Sequence, residues 1–146
     1  MGKFTGKIAI VTGGALGIGG ATARNFARKG ATVVIADIDE DAAKNNVRKI
    51  NSLGGEAVFI KADMSVSDDI EGMVDFTYRN FNRVDFIVQN AFGVISGTSR
   101  IRGDAVSVKE EDWYYGISIL AKAIYLGAKH VVPIMKKNGG GSIVNM

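Results

Sequence analysis

Three glycines stand between a predicted β-strand and a predicted α-helix near the start of the chain. The stretch "TGGALGIGG" carries them as Gly13, Gly17 and Gly19. Glycine permits a tight turn, a close approach of the backbone to a ligand, and close packing of the helix, while the helix N-terminus offers free N–H groups to an anion. The arrangement favours binding of a dinucleotide pyrophosphate, although an ordinary tight turn could also use these glycines.

An acidic residue ends the second predicted strand. Asp37 follows Gly19 by 18 residues, which suits a carboxylate that accepts hydrogen bonds from the ribose hydroxyls of NAD. The same carboxylate would repel a 2′-phosphate, and neither neighbour, Ala36 or Ile38, is an arginine. We therefore predict NAD rather than NADP. The alternative is that Asp37 only caps the helix that follows.

The elements that position these residues alternate between β-branched runs and helical periods. The predicted strands are residues 7–12, 31–37, 56–63, 83–90 and 142–145. This alternation predicts an α/β fold in which helices flank a parallel sheet. Ligands of such sheets bind beyond the carboxyl ends of the strands, where the glycine-rich turn and Asp37 are expected.

The predicted helices include a long one near the end of the chain. Its apolar stripe is predicted to comprise Trp113, Ile117, Leu120, Ile124, Val131 and Met135. Two capping boxes are predicted at helix starts, Ser65 with Asp68 and Ser107 with Glu110. Pro133 lies inside the long pattern, so the helix is expected to kink or end there. Residues 91–106 predict a long loop that could form one wall of a substrate site.

Composition limits the chemistry that this chain can perform. Its 146 residues are 47% hydrophobic, which is enough for one domain with a core. No cysteine and only one histidine, His130, are present, so we predict no metal site, and the lack of cysteine fits a cytoplasmic protein. No apolar run approaches a membrane span. The net charge of +3 is interspersed with acids, so neither membrane nor nucleic-acid binding is predicted.

Several motifs taken together resemble those of the short-chain dehydrogenase/reductases. In chain order they are "TGGALGIG", "ADIDE", "ADMS", "VDFIVQNA", "EDWYYGISI" and "GSIVN", and they extend over the whole chain. The resemblance implies an α/β fold with a doubly wound parallel sheet (Rossmann fold) and strand order 3-2-1-4-5. It also implies hydride transfer between a nicotinamide cofactor and a secondary alcohol or ketone.

The resemblance also implies which residues bind the cofactor, NAD. These are Gly13, Leu16, Gly17, Ile18, Gly19, Asp37, Ile38, Asp63, Met64, Asn90, Ala91 and Gly93. The three glycines, together with Leu16 and Ile18, are expected at the phosphates, and Asp37 is expected at the adenosine ribose. Asp63 and Met64 match the family's contact to adenine. Asn90 and Ala91 are expected to lie along the cofactor.

Three positions depart from the family pattern. The family's Asn-Asn-Ala-Gly becomes "QNAF", with Gln89 for the first Asn and Phe92 for the Gly. Because Phe92 is bulky where backbone passes the cofactor, Gly93 is expected to take over that role. The family's helix Asn, which orders a water for proton transfer, falls on Leu120. We interpret Leu120 as core packing.

The family's catalytic Ser and Tyr-x-x-x-Lys follow the fifth strand, and this chain ends before them. No catalytic residue is therefore predicted. Tyr125 and Lys129 have the Tyr-x-x-x-Lys spacing, but they lie before the fifth strand and not after it. We expect residues 1–146 to be one incomplete dinucleotide-binding domain with an exposed apolar edge. The chain alone is expected to be inactive. Its expected partner is a second copy in a homo-oligomer or a complementing C-terminal chain. The alternative is a non-catalytic dinucleotide-binding module that regulates or scaffolds.

Overall fold

A five-stranded parallel sheet forms the centre of the molecule. The computed structural model describes residues 2–95, 98–99 and 104–146. Its strands are β1 (Ile8–Thr12), β2 (Thr32–Asp37), β3 (Glu56–Lys61), β4 (Phe86–Gln89), β5 (Val94–Ile95), β6 (Thr98–Ser99) and β7 (Ser142–Asn145). The main sheet has the order β3-β2-β1-β4-β7. Since β7 is its fifth strand in chain order, the predicted order 3-2-1-4-5 is confirmed.

Helices cover both faces of the sheet. They are α1 (Gly17–Arg28), α2 (Glu40–Ser52), α3 (Ser67–Phe81), α4 (Glu110–Ile117) and α5 (Ala123–Lys137). All five residues of β1 are buried, and successive side chains point to opposite faces. Ile10 packs in the cluster that contains α3 and α5 residues, whereas Val11 packs with those of α1 and α2. The doubly wound arrangement follows from this alternation.

The two predicted capping boxes are wrong. Helix α3 begins after Val66 and α4 after Lys109, and neither has a side-chain cap. The two serines lie in turns that precede the helices. The Ser65 N–H donates to Asp63 Oδ1 at 2.8 Å, and the Ser107 hydroxyl donates to Asp104 Oδ1 at 2.8 Å.

The long helix changes its geometry midway, because a π-helical segment (Ser118–Lys122) joins α4 to α5. Trp113, Ile117 and Leu120 were predicted in the buried stripe, but they are 58%, 42% and 38% exposed. The buried face is formed by Gly116, Ile119, Ala123, Gly127, Val131 and Met135. A π-bulge inserts one residue into a helix, and the buried Gly116, Ile119 and Ala123 each precede the predicted Ile117, Leu120 and Ile124 by one position. The helix continues past Pro133 to Lys137, so of the two predicted outcomes, a kink or an end, the end does not occur.

This helix also corrects the expectation about membrane spans. Glu110–Lys137 is 28 residues long and apolar enough to cross a membrane by length and composition, with 22% of its most apolar window buried. Its buried face packs on α3 and on the sheet through Ala123 and Val131. The helix is therefore part of this domain's core, and apolar side chains are also present on its other faces.

The segment predicted as an unpatterned loop contains two strands of two residues, β5 and β6, which pair in antiparallel orientation. The sequence gives little signal for strands of two residues. Part of that predicted loop, residues 96–97 and 100–103, lies outside the described residues. At the other end of the sheet, β7 pairs only with β4 among the described strands. Val144 in β7 is 46% exposed, as predicted for an apolar edge.

Candidate dinucleotide site

The glycine-rich turn follows β1 directly, and its first peptide group is fixed by neighbouring strands. The Gly13 N–H donates to the Ala36 carbonyl at 2.9 Å, and Asn90 Nδ2 donates to the Thr12 carbonyl at 3.2 Å. The Thr12 carbonyl and the Gly13 N–H belong to one planar peptide group, so these two bonds hold both of its ends. Thr12 Oγ1 also accepts hydrogen bonds from the N–H groups of Asn90 and Ala91, at 3.0 and 3.1 Å. The turn is therefore tied to the carboxyl ends of β2 and β4.

Two glycines of the turn are required by its geometry. Gly13 has a φ of 63°, in the left-handed region that favours glycine. A Cβ on Gly19 would collide with the Gly13 carbonyl oxygen and with the side chain of Asn90. Gly19 is buried, so α1 packs directly behind the turn, as the sequence predicted.

The N-terminus of α1 has no side-chain cap in the described structure. Leu16 occupies the N-cap position with extended backbone and makes no capping bond. The first N–H groups of a helix lack intrahelical acceptors, so those of α1 are available to an anion. Helix α2 differs, because Asp39 accepts a hydrogen bond from the Ala42 N–H at 3.0 Å. The start of α1 is thus suited to bind a phosphate.

Asp37 faces this turn from the end of β2. Its Oδ2 accepts a hydrogen bond from the Ala15 N–H at 2.9 Å, and its Oδ1 accepts one from the Asp39 N–H at 3.0 Å. Each carboxylate oxygen can accept a second donor, and Asp37 is only partly buried. The N-cap of α2 is Asp39, so the alternative in which Asp37 caps that helix is wrong.

The loop after β3 forms the neighbouring wall. Asp63 Oδ1 accepts a hydrogen bond from the Ser65 N–H, and the Asp63 N–H donates to Asp69 Oδ2, both at 2.8 Å. These bonds fix the path from β3 into α3, and Met64 is buried beside them. The predicted pair Asp63 and Met64 therefore stands at the same edge as Asp37.

Gln89 and Phe92, the two departures from the family pattern near the end of β4, lie in different surroundings. Gln89 is buried, and its Nε2 donates to the Ile124 carbonyl at 3.1 Å and to Asn145 Oδ1 at 2.9 Å. It therefore joins β4 to α5 and β7. Phe92 is 58% exposed and stands at the cavity with buried Gly93.

These walls surround an open cavity of about 420 Å³. Every predicted cofactor-binding residue except Gly19 lines it. The other lining residues are Ala15, Ala36, Asp39, Ala62, Phe92, Tyr115 and Ile119. Three carboxylates belong to the lining, those of Asp37, Asp39 and Asp63, whereas no described lining residue is a lysine, arginine or histidine. The cavity is therefore anionic beside Asp37.

Two polar residues that fix the turn were not predicted. One is Thr12, through its hydroxyl. The other is Asn46 of α2, which is 3% exposed and donates from Nδ2 to the Gly14 carbonyl at 2.8 Å. Asn46 lies on the buried face of α2 with Ala43 and Ile50, so a polar residue within an apolar stripe was the available signal.

The position expected to carry the family's water-ordering Asn has no polar side chain here. Leu120 is 38% exposed and borders a small crevice with Thr12 and Gln89. The interpretation of Leu120 as core packing is therefore wrong, because the π-helical segment places Ile119 on the buried face instead.

Comparison with known proteins places this architecture in a family. The family model described as short chain dehydrogenase matches residues 7–146. An uncharacterized oxidoreductase from Thermotoga maritima is 41% identical over 144 residues, which are 99% of this chain and 54% of that protein. The chain spans about half the length of the curated relatives it matches.

Solved structures agree with the sequence match. A metagenomic short-chain oxidoreductase in complex with NADP has a TM-score of 0.88 at 32% identity, over 97% of this chain and 62% of that one. A 7α-hydroxysteroid dehydrogenase complexed with NADH and 7-oxo glycochenodeoxycholic acid has a TM-score of 0.89 at 32% identity, over 98% of this chain and 53% of that one. The strand order, the glycine-rich turn and the family match lead to one conclusion: this chain belongs to the short-chain dehydrogenase/reductase family.

Proposed function

We propose that this chain binds NAD in the cavity and forms the cofactor-binding part of an oxidoreductase. The observation that carries the proposal is the uncapped start of α1, which opens on a cavity that Asp37 also lines. A helix N-terminus attracts a pyrophosphate, and a carboxylate one strand away accepts hydrogen bonds from ribose hydroxyls. Bound NAD would supply a nicotinamide ring that exchanges a hydride with a secondary alcohol or ketone.

The residues divide the cavity into regions with separate tasks. The backbone from Leu16 to Gly19 offers N–H groups to the phosphates. Asp63 and Met64 border the region proposed for adenine. Ala91 and Gly93 border the opposite end, toward β4, where Phe92 and Tyr115 add aromatic surface for a small apolar group. The proposed substrate is accordingly a small-molecule alcohol or ketone.

The choice of NAD over NADP rests on charge. Similar structures hold NADP or NADH, so the family alone does not decide it. In this chain the carboxylates of Asp37, Asp39 and Asp63 line the cavity, and no described lining residue carries a positive side chain. A 2′-phosphate would meet uncompensated negative charge there.

Titration of the purified chain with NADH and NADPH, followed by the fluorescence of the reduced nicotinamide, tests this proposal. We expect saturable binding of NADH and at least tenfold weaker binding of NADPH. Tighter binding of NADPH would contradict the role given to Asp37, and absence of binding to either would contradict the site itself.

We further propose that the 146-residue chain alone does not catalyse the reaction. Its described cavity lining includes Tyr115 but no lysine, whereas the family pattern pairs a tyrosine with a lysine for proton transfer. We propose that a complementing C-terminal chain supplies the missing groups, with a homo-oligomer as the alternative assembly. We also propose a cytoplasmic protein that binds neither nucleic acid nor membrane. Reproducible oxidation of alcohols with NAD by the purified chain would contradict the proposal that the chain alone is inactive.

The second candidate is a dinucleotide-binding module that regulates or scaffolds without chemistry. Leu120 favours it, because leucine cannot order a water for proton transfer. Phe92 favours it too, because its ring occupies space beside the proposed cofactor. Assay of the protein in its native assembly with a panel of secondary alcohols and NAD separates the two: turnover supports the enzyme, and tight NADH binding without turnover supports the module.

A further inference from the structure

Asn46 is a buried polar residue on the inner face of α2, opposite the glycine-rich turn. It is 3% exposed. Its Nδ2 donates to the Gly14 carbonyl at 2.8 Å and approaches the Gly20 carbonyl at 3.3 Å. One amide therefore bridges the turn and the first turn of α1. Gly14 and Gly20 are both buried, and buried carbonyl groups are generally hydrogen-bonded within the protein.

Arg24 fixes the orientation of this amide. One guanidinium nitrogen of Arg24 donates to Asn46 Oδ1 at 2.8 Å. A guanidinium group only donates hydrogen bonds, so the amide atom that faces it must be the oxygen. The nitrogen must then face the carbonyls of Gly14 and Gly20. The reversed amide would place donor against donor and acceptor against acceptor.

The side chains of Asn46 and Asp37 bond opposite ends of the same peptide group. The Gly14 carbonyl and the Ala15 N–H belong to the same planar unit and point in opposite directions. Asn46 holds the carbonyl end, and Asp37 Oδ2 accepts from the N–H end at 2.9 Å. Rotation of this peptide would break both bonds. The orientation of the Asp37 carboxylate is therefore coupled to the amide of Asn46.

We propose that Asn46 is a positioning residue for nucleotide binding. It directs the turn's carbonyls toward α2, so that the N–H groups at the start of α1 face the cavity, and it keeps Asp37 oriented for a ribose with a free 2′-hydroxyl. The matching ligand is a diphosphate-linked nucleoside without a 2′-phosphate. This inference rests on the proposed function, since it concerns the same cavity.

The test compares Asn46→Leu with Asn51→Leu in the same helix. Asn51 also bonds backbone, because its Oδ1 accepts from the Ala57 N–H at 2.8 Å and its Nδ2 donates to the Ala57 carbonyl at 3.3 Å. Those bonds join α2 to β3, away from the turn. Affinities for NADH and NADPH are measured for both variants, with thermal unfolding as the measure of stability.

Asn46→Leu is expected to weaken NADH binding by about tenfold and to reduce the preference for NADH over NADPH, since it removes hydrogen bonds and releases Asp37. Asn51→Leu is expected to keep both affinities. Equal NADH affinity in Asn46→Leu and the parent chain overturns the proposal. Equal weakening by both variants also overturns it, because the effect is then one of general stability.

Two milder variants keep the test valid if Asn46→Leu does not fold. Asn46→Asp preserves the shape and the Arg24 contact but removes the donors to Gly14 and Gly20. Arg24→Ala leaves the core intact and frees the amide, so a smaller loss, about threefold, is expected. Unchanged NADH affinity in both overturns the inference. Failure of the parent chain to bind NADH overturns the proposed function and this inference together.

Discussion

Single side chains at this site act mainly on the backbone of the glycine-rich turn. Asn90, Asp37 and Asn46 each bond peptide groups of the turn. The glycines and Asp37 could be predicted from the sequence, because their role depends on spacing within one strand-turn-helix unit. The contribution of Asn46 depends on a partner 32 residues away, and no local pattern reveals such a pair.

Gly19→Val should abolish NADH binding. A β-branched side chain at this position would collide with the Gly13 carbonyl oxygen and with Asn90, so the turn must move. We expect at least a hundredfold loss of affinity in a fluorescence titration. Gly72→Ala in α3 is the control, because a Cβ there meets no atom within 4 Å. That control should gain about 0.5–1 kcal/mol of stability and bind NADH normally; retained binding in Gly19→Val would contradict the turn's assigned role.

Among the elements, the sheet followed its sequence pattern more closely than the longest helix did. Parallel strands buried on both faces show as continuous apolar runs, as in β1 and β2. The buried stripe as far as Ala123 was displaced by one residue, and 3.6-residue periodicity cannot anticipate the π-helical segment that accompanies this shift. The approach of α5 to the sheet depends on Gly127, because a Cβ there would collide with Gln89 Oε1.

Gly127→Ala should lower the free energy of unfolding by about 1–3 kcal/mol, since overpacking forces the helix away from the sheet. Urea unfolding measures this change. In the double variant Gly127→Ala, Gln89→Ala the collision is absent, so the combined loss should be smaller than the sum of the single losses. Strictly additive losses would show that Gln89 and Gly127 do not share one contact.

At the scale of the whole molecule, the two ends of the parallel strands have different roles. The cavity lies at their carboxyl ends, whereas the buried carboxylate of Asp85 lies at the opposite ends, directly before β4. Burial raises the pKa of Asp85, but hydrogen bonds from Arg83, the Ile8 N–H and Lys7 outweigh burial and hold that pKa below its usual value. A carboxyl group with a lowered folded-state pKa stabilises the protein above its unfolded pKa, and this stability is lost as pH falls through the folded value.

Asp85→Asn should therefore lower the free energy of unfolding by about 3 kcal/mol at pH 7, because Lys7 and Arg83 lose their buried partner. The difference between parent and variant should shrink as the pH falls below the usual carboxyl pKa of 3.8. Asp75→Asn, which disrupts an exposed pair with Arg79, is the control and should change stability by less than about 1 kcal/mol. A difference for Asp85→Asn that stays constant down to strongly acidic pH would refute the assignment.

The measurement that tests the central claim most directly is a titration of the ¹⁵N-labelled chain with NADH, followed by backbone amide chemical shifts. The claim predicts that the largest shifts fall on the N–H groups of Leu16 to Gly19 and on Ala15, whose N–H bonds to Asp37. Shifts confined to the groove that α1 forms with the end of α2, beside Arg28 and Leu53, or no shifts at saturating NADH, would contradict it.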